Sequence, residues 1–201
     1  MTNDSQYALK EWSVTIDSLL AGRQILLLRK GGIHERRDRF SVEHPDFFLF
    51  PTHLHQSLHA LHPSFQSGFD NHRGTKTSTV ILNTYAEVHQ LIPIANLDAL
   101  RPLDSLHTLN WTTVEQRFWY RNRPGLDLLL LRIYRLPVPH QIQNIERYDG
   151  CISWVELEES LSTAGAEPVL AKHAFEEQVH KIRRLAGSAS QGAPAVRQEH
   201  N

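Results

Sequence analysis

Cysteine is almost missing from this sequence. With Cys151 as the only thiol among 201 residues, no disulfide can form within the chain, and a reducing, cytoplasmic setting is expected. Net charge is almost missing as well: 21 Lys and Arg stand against 22 Asp and Glu, giving −1. That balance excludes a protein that coats nucleic acid by bulk charge, so any anion must be held by a local patch. No apolar run approaches the roughly 18 residues a membrane helix needs, and MTNDSQYALKEW has no basic segment followed by an apolar one; neither a membrane span nor export is expected. What remains, 40% hydrophobic and 21% charged residues, describes a globular chain. We expect one domain over residues 1–186 that buries about 70% of its unfolded surface, and a disordered tail over 187–201, where the residues are small and polar without periodicity.

Taken in order, Asp4 or Ser5 can cap a helix with Leu9, Trp12, Ile16, Leu19 and Leu20 at helical spacing, ended by Gly22 in a left-handed conformation. Lys10 and Glu11 then fall on the opposite, solvated side. Gln24–Arg29 reads as a buried strand, Phe40–Glu43 and Phe47–Phe50 as further short strands, and Thr79–Ile94 as a strand with some helical character. Thr52 can cap a helix carrying a Leu54, Leu58, Leu61 stripe beside a His55, His59, His62 stripe. Asn96–Leu100 reads as a helical turn stopped by Pro102, and Thr112 or Thr113 as the cap of TVEQRFWY. LDLLLLRIYRL is apolar almost throughout, the pattern of a central strand. Ser153 and Glu156 form a capping box for another helix, and Pro168 opens a last one with Phe175, Val179, Ile182 and Ala186 on one face, ended by Gly187.

The stretch Gln24–His62 concentrates the unusual chemistry. RKGG presents two glycines whose backbone N–H groups can point the same way, with Arg29, Lys30, Arg36, Arg37 and Arg39 supplying positive charge beside Gly31 and Gly32. This suits a phosphate or another anion, although double glycines are also ordinary hairpin chemistry. Arg117, Phe118, Trp119, Tyr120, Arg121 and Arg123 interleave cations with rings, a combination that tracks a nucleic-acid backbone while stacking bases. The plainer alternative is an amphipathic helix with buried aromatics and solvated arginines. Lys30, Glu43, His44 and His55 are the candidates for acid–base chemistry, with Gln56 beside them. The histidine stripe lacks acidic or cysteine ligands at matching spacing, so no metal and no cofactor are expected. Cys151 lies ahead of the capping-box helix without a nucleophile motif around it.

In order, ALKEW, LLRKGGI, FSVEH, LFPTHLHQ, QRFWYR, LLLLRIYRL and YDGCISWVEL resemble the signature of a bacterial family, domain of unknown function 1802, over about Ala8–Leu157. The resemblance implies no established activity. Some members carry a restriction-endonuclease-like domain, for which this chain has no room, and that association implies nucleic-acid transactions or defence. NWTT departs from the family pattern, since Asn110 stands where a histidine tends to precede the tryptophan. The resulting expectation is an α+β fold, one domain with a mixed or barrel-like β-sheet flanked by helices. Its leading function is nucleic-acid binding through Arg29, Lys30, Gly31, Gly32, Arg36, Arg37, His55, Gln56, Arg117 and Arg121. An enzyme acting on a nucleotide or phosphate substrate, and a protein-interaction module, are the alternatives.

Overall fold

In the computed structural model, which describes residues 4–30, 42–53, 56–69, 78–151 and 153–188, the chain opens with a strand where a helix was expected. β1 (Asp4–Trp12) runs directly into α1 (Ser13–Leu20). Strand alternation puts Ala8 and Lys10 on one face and Leu9 and Glu11 on the other. The backbone of β1 pairs with one neighbour on each side, a gain in hydrogen bonding that outweighs the weak helical period of its apolar residues. Glu11, expected in solvent, is thereby buried at 7% exposure. The end of α1 follows expectation. Gly22 has φ +67°, the Gly22 and Arg23 N–H groups bond the Leu19 and Ser18 carbonyls at 3.0 Å each, and an added Cβ would sit 2.8 Å from Leu170.

β2 (Leu26–Arg29) and β3 (Asp46–Thr52) are the expected apolar strands, although Val42 and Glu43 are not in a strand and Phe40 lies outside the described residues. The helix expected after Thr52 does not form. Its place holds a 3₁₀ turn, Leu58–Ala60, then a bridge from Leu61 to Leu109, then a second 3₁₀ helix, Pro63–Gly68. The chain is held extended there by the His62 N–H to the Thr108 carbonyl and the Asn110 N–H to the Ala60 carbonyl, so His59 and His62 do not share a helical stripe. Leu54 and His55 lie outside the described residues.

β4 (Thr79–Ile94) is strand throughout. The 3₁₀ helix Leu97–Leu106 continues through Pro102, whose fixed φ suits it, and α2 (Trp111–Phe118) is capped by Asn110, whose Oδ1 accepts the Thr113 N–H at 2.9 Å. Asn110 replaces the Thr112 or Thr113 cap expected from the sequence. After β5 (Leu126–Gln143) and the single turn α3 (Glu146–Asp149) comes β6 (Trp154–Ser162), where the capping box predicted a helix. Buried Val155 and Leu157 alternate with exposed Glu156 and Glu158, and docking antiparallel on β1 selects that two-residue period. Cys151 therefore follows a helical turn and precedes a strand. Pro168 belongs to β7 (Glu167–Pro168), and α4 (Lys172–Ser188) buries Phe175, Val179, Ile182 and Ala186 as expected, running through Gly187.

The strands form one mixed sheet in the order β2-β5-β4-β3-β1-β6, with β7 also on β5 and only β1 and β3 parallel. The single α+β domain has an open sheet. On one face Leu26, Leu28, Leu128 and Leu130 pack with residues of α2 and α4; on the other Leu9, Leu27, Phe47, Leu49 and Leu129 pack with Ile16, Leu19 and Leu20 of α1. Each such buried side chain contributes roughly 1.5–3 kcal/mol. β4 carries bulges between Leu82 and Thr84 and between Val88 and Gln90, which bend a strand locally, and Arg29 at the end of β2 reaches Ser153, just ahead of β6. Among the described residues no helix is long and apolar enough to cross a membrane.

Candidate functional site

Arg29, the last residue of β2, reaches across the gap between the sheet's two ends. Its Nη1 donates to the Lys10 carbonyl at 3.2 Å and to Glu11 Oε2 at 3.1 Å, and its Nη2 to Ser153 Oγ at 3.1 Å. β2 and the entry to β6 are thus tied through one guanidinium. The second oxygen of Glu11 accepts the Trp12 N–H at 2.8 Å, so both oxygens of this buried carboxylate are occupied. Arg117, in the last turn of α2, approaches the same carboxylate. Its guanidinium lies 5.0 Å from the Trp12 ring centroid and donates once, to the Leu28 carbonyl at 3.4 Å. Burial draws the Arg117 pKa below its ordinary value, Glu11 opposes that shift and Arg29 adds to it. Two guanidiniums therefore lie near one carboxylate, with only Arg29 at ion-pair distance, in a recess where the Arg29 and Glu11 side chains are 12% and 8% exposed.

His107 lies near enough to Arg117 to feel its charge. At 2% exposure, its imidazole is lowered to about 4 by burial first and by the charges of His62 and Arg117 next, while the Leu109 backbone acts in the opposite direction. Neither ring nitrogen has a hydrogen-bond partner of good geometry. Gln56 accepts the Val14 N–H of α1 through Oε1 at 3.4 Å and leaves its buried Nε2 without a partner. His107 was not singled out from the sequence; Glu11 and Trp12 stood there as part of the ALKEW motif, Glu11 read as solvated, and the alternation of Leu9 with Glu11 in a buried strand was the available signal for its burial.

Lys30, one residue beyond Arg29, joins the recess to an exposed corner. Its ammonium donates to the carbonyls of Phe118 at 3.1 Å, Gly125 at 2.8 Å and Arg123, closing the C-terminal end of α2, where a positive charge is favoured. Burial lowers its pKa, with Asp127 opposing and Arg123 reinforcing. Past Phe118, which is buried at 1%, Arg121 and Asn122 take φ of 58° and 55° and turn the chain sharply. The rings of Trp119 and Tyr120 stand 54% and 51% exposed, and the Arg121 guanidinium lies 5.2 Å from the Tyr120 centroid. The amphipathic-helix reading fits in part: Phe118 is buried and Arg121 and Arg123 are exposed, but Trp119 and Tyr120 are outside and Arg117 is half-buried against Trp12.

Of the acid–base candidates, Lys30 and His44 have different partners. His44 stacks on Tyr7 with centroids 3.4 Å apart and meets the edge of Trp154 at 5.2 Å; burial lowers its pKa, opposed by Glu43, Asp46 and Glu156. Glu43 is exposed. Lys30 and His44 share no partner in these contacts. Cys151 donates to the Arg147 carbonyl at 3.6 Å. Among the described residues no three His, Cys, Asp or Glu side chains gather as a metal site would require. Gly31, Gly32, Arg36, Arg37, Arg39 and His55 lie outside the described residues.

A family model described as Domain of unknown function (DUF1802) matches residues 8–181. No curated protein matches the chain. Among solved structures, ASCH from Zymomonas mobilis is similar at 10% identity and a TM-score of 0.42, over 87% of this chain and 93% of that one. Two single-residue mutants of that protein match at 10% and 11% identity with TM-scores of 0.44 and 0.40, over 90% and 87% of this chain and 99% and 96% of theirs.

Proposed function

The chain belongs to the DUF1802 family, and we propose that it is a nucleic-acid-binding module whose contact surface is the corner after α2, with Trp119 and Tyr120 as stacking platforms and Arg121 and Arg123 as phosphate contacts. One observation carries this reading: Lys30 links the two basic stretches, far apart in sequence, into a single corner that leaves two large aromatic rings in solvent between arginines. Exposing a tryptophan and a tyrosine forfeits apolar burial, and two successive left-handed non-glycine residues add backbone strain. A surface for unpaired bases accounts for both, since rings stack on bases of any sequence while guanidiniums follow the backbone. A place in restriction or defence, which the family resemblance implies, would use the chain as the part that holds a strand.

The test is fluorescence anisotropy with a labelled single-stranded oligonucleotide at low and moderate salt. Affinity is expected to fall as salt rises, because each neutralised phosphate releases counterions. Arg121→Ala should reduce the slope of log affinity against log salt by about one unit. Absence of binding at low salt overturns the reading.

A further inference from the structure

Resting on the nucleic-acid reading, we infer that the recess of Arg29, Glu11 and Arg117 is a subsite for a phosphate oxyanion, reached by the terminal phosphate of a strand and not by the phosphates within it. Charge comes first. Both oxygens of Glu11 are taken, by Arg29 and by the Trp12 N–H, so Arg117 has no carboxylate at ion-pair distance among the described residues. A guanidinium has five N–H donors, and among the described residues this one makes a single bond, of 3.4 Å to the Leu28 carbonyl. None of its nitrogens is among the fully buried polar atoms without a partner, and the residue as a whole is half-buried, so the guanidinium keeps some contact with solvent. A partly desolvated cation with open donors is costly unless an anion approaches, and a planar fork fits two oxygens of a phosphate.

Depth decides which phosphate. With Arg29 at 12% exposure and Glu11 at 8%, the charges lie below the surface, whereas Trp119 and Tyr120, two and three residues past Arg117, stand above it. A bridging phosphate is flanked by sugars on both sides and is held at the surface, where Arg121 and Arg123 are. A terminal phosphate projects from one sugar only, carries close to two negative charges at neutral pH, and can enter. The Arg117 guanidinium carbon lies 5.0 Å from the Trp12 ring centroid, a cation–π contact that restrains the side chain.

The experiment compares two oligonucleotides of one sequence, one ending in a 5′-phosphate and one in a 5′-hydroxyl, together with their 3′-phosphate counterpart and inorganic phosphate followed by ³¹P linewidth. The parent chain should prefer one phosphate-ended strand by about tenfold or more, the size expected for charged hydrogen bonds. In Arg117→Gln that ratio should fall close to one, and in Arg117→Lys, which keeps charge but loses the fork, it should be intermediate. Folding of each variant is checked by circular dichroism; if Arg117→Gln does not fold, Arg117→Lys and the parent's own preference decide. Equal affinity of the parent for all ends overturns the subsite and leaves the binding surface standing. Inorganic phosphate binding that Arg117→Gln abolishes, without oligonucleotide binding, supports the oxyanion site while removing the nucleic-acid reading. No binding of either probe overturns both.

Discussion

The recess and the corner use the same residue types, arginines beside tryptophan or tyrosine, and lie within a few residues of each other on α2, yet burial gives them different energetics. In the recess, Arg29 and Glu11 have left water, so each is expensive alone and their bond belongs to the stability of the sheet closure. At the corner, Arg121 and the exposed rings of Trp119 and Tyr120 keep their hydration, so removing any of them costs the fold little and bears on what the surface can bind. Exposure therefore separates a buried clasp from a solvated, ring-bearing corner where composition cannot.

The sharpest way to break this comparison is Arg29→Ala. It leaves Glu11 buried without its cation and unties β2 from β1 and Ser153, and a loss of about 3–5 kcal/mol is expected in urea denaturation. Replacing the pair together, Arg29→Met with Glu11→Leu, should recover most of it; a single variant as stable as the parent would show that the clasp contributes nothing.

The next effect is set by pH. His107 is held neutral, with its pKa lowered from 6.5 to about 4, so between those values the unfolded chain binds the additional proton. Stability is full above about pH 6.5 and falls as pH drops toward 4, by about 3 kcal/mol over the interval. Denaturation midpoints of the parent and His107→Phe at pH 7 and pH 5 check this: the variant should lose less stability on acidification. Parallel losses would assign the acid sensitivity to other groups.

The smallest expected change in stability belongs to the corner. Trp119→Ala and Tyr120→Ala should alter unfolding free energy by less than about 0.5 kcal/mol. Each should weaken a single-stranded oligonucleotide by about 1–3 kcal/mol, the worth of one stacked base. A large loss of stability in either variant would make the corner part of the core.

Much of the architecture was legible in the order of residues. The apolar content of QILLLR, FFLF and LDLLLLRIYRL exceeds what a surface segment carries, and these became β2, β3 and β5; the 3.6-residue spacing of Phe175, Val179, Ile182 and Ala186 became the buried face of α4. Gly22 was legible because a left-handed turn beside Leu170 leaves no room for a Cβ. Only the tertiary structure decided that Asp4–Trp12 and Trp154–Ser162 are strands, because their helical signals, a periodic stripe and a capping box, are local terms of about 1 kcal/mol, while pairing with distant strands satisfies a whole backbone edge. It likewise decided which arginines face water. Arg117 and Arg121 are one helical turn apart in sequence, but α2 stops at Phe118 and the chain turns left-handed at Arg121, so one side chain is half-buried beside Trp12 while the other stays outside. Burial depends on what packs from elsewhere in the chain, and no local pattern encodes it.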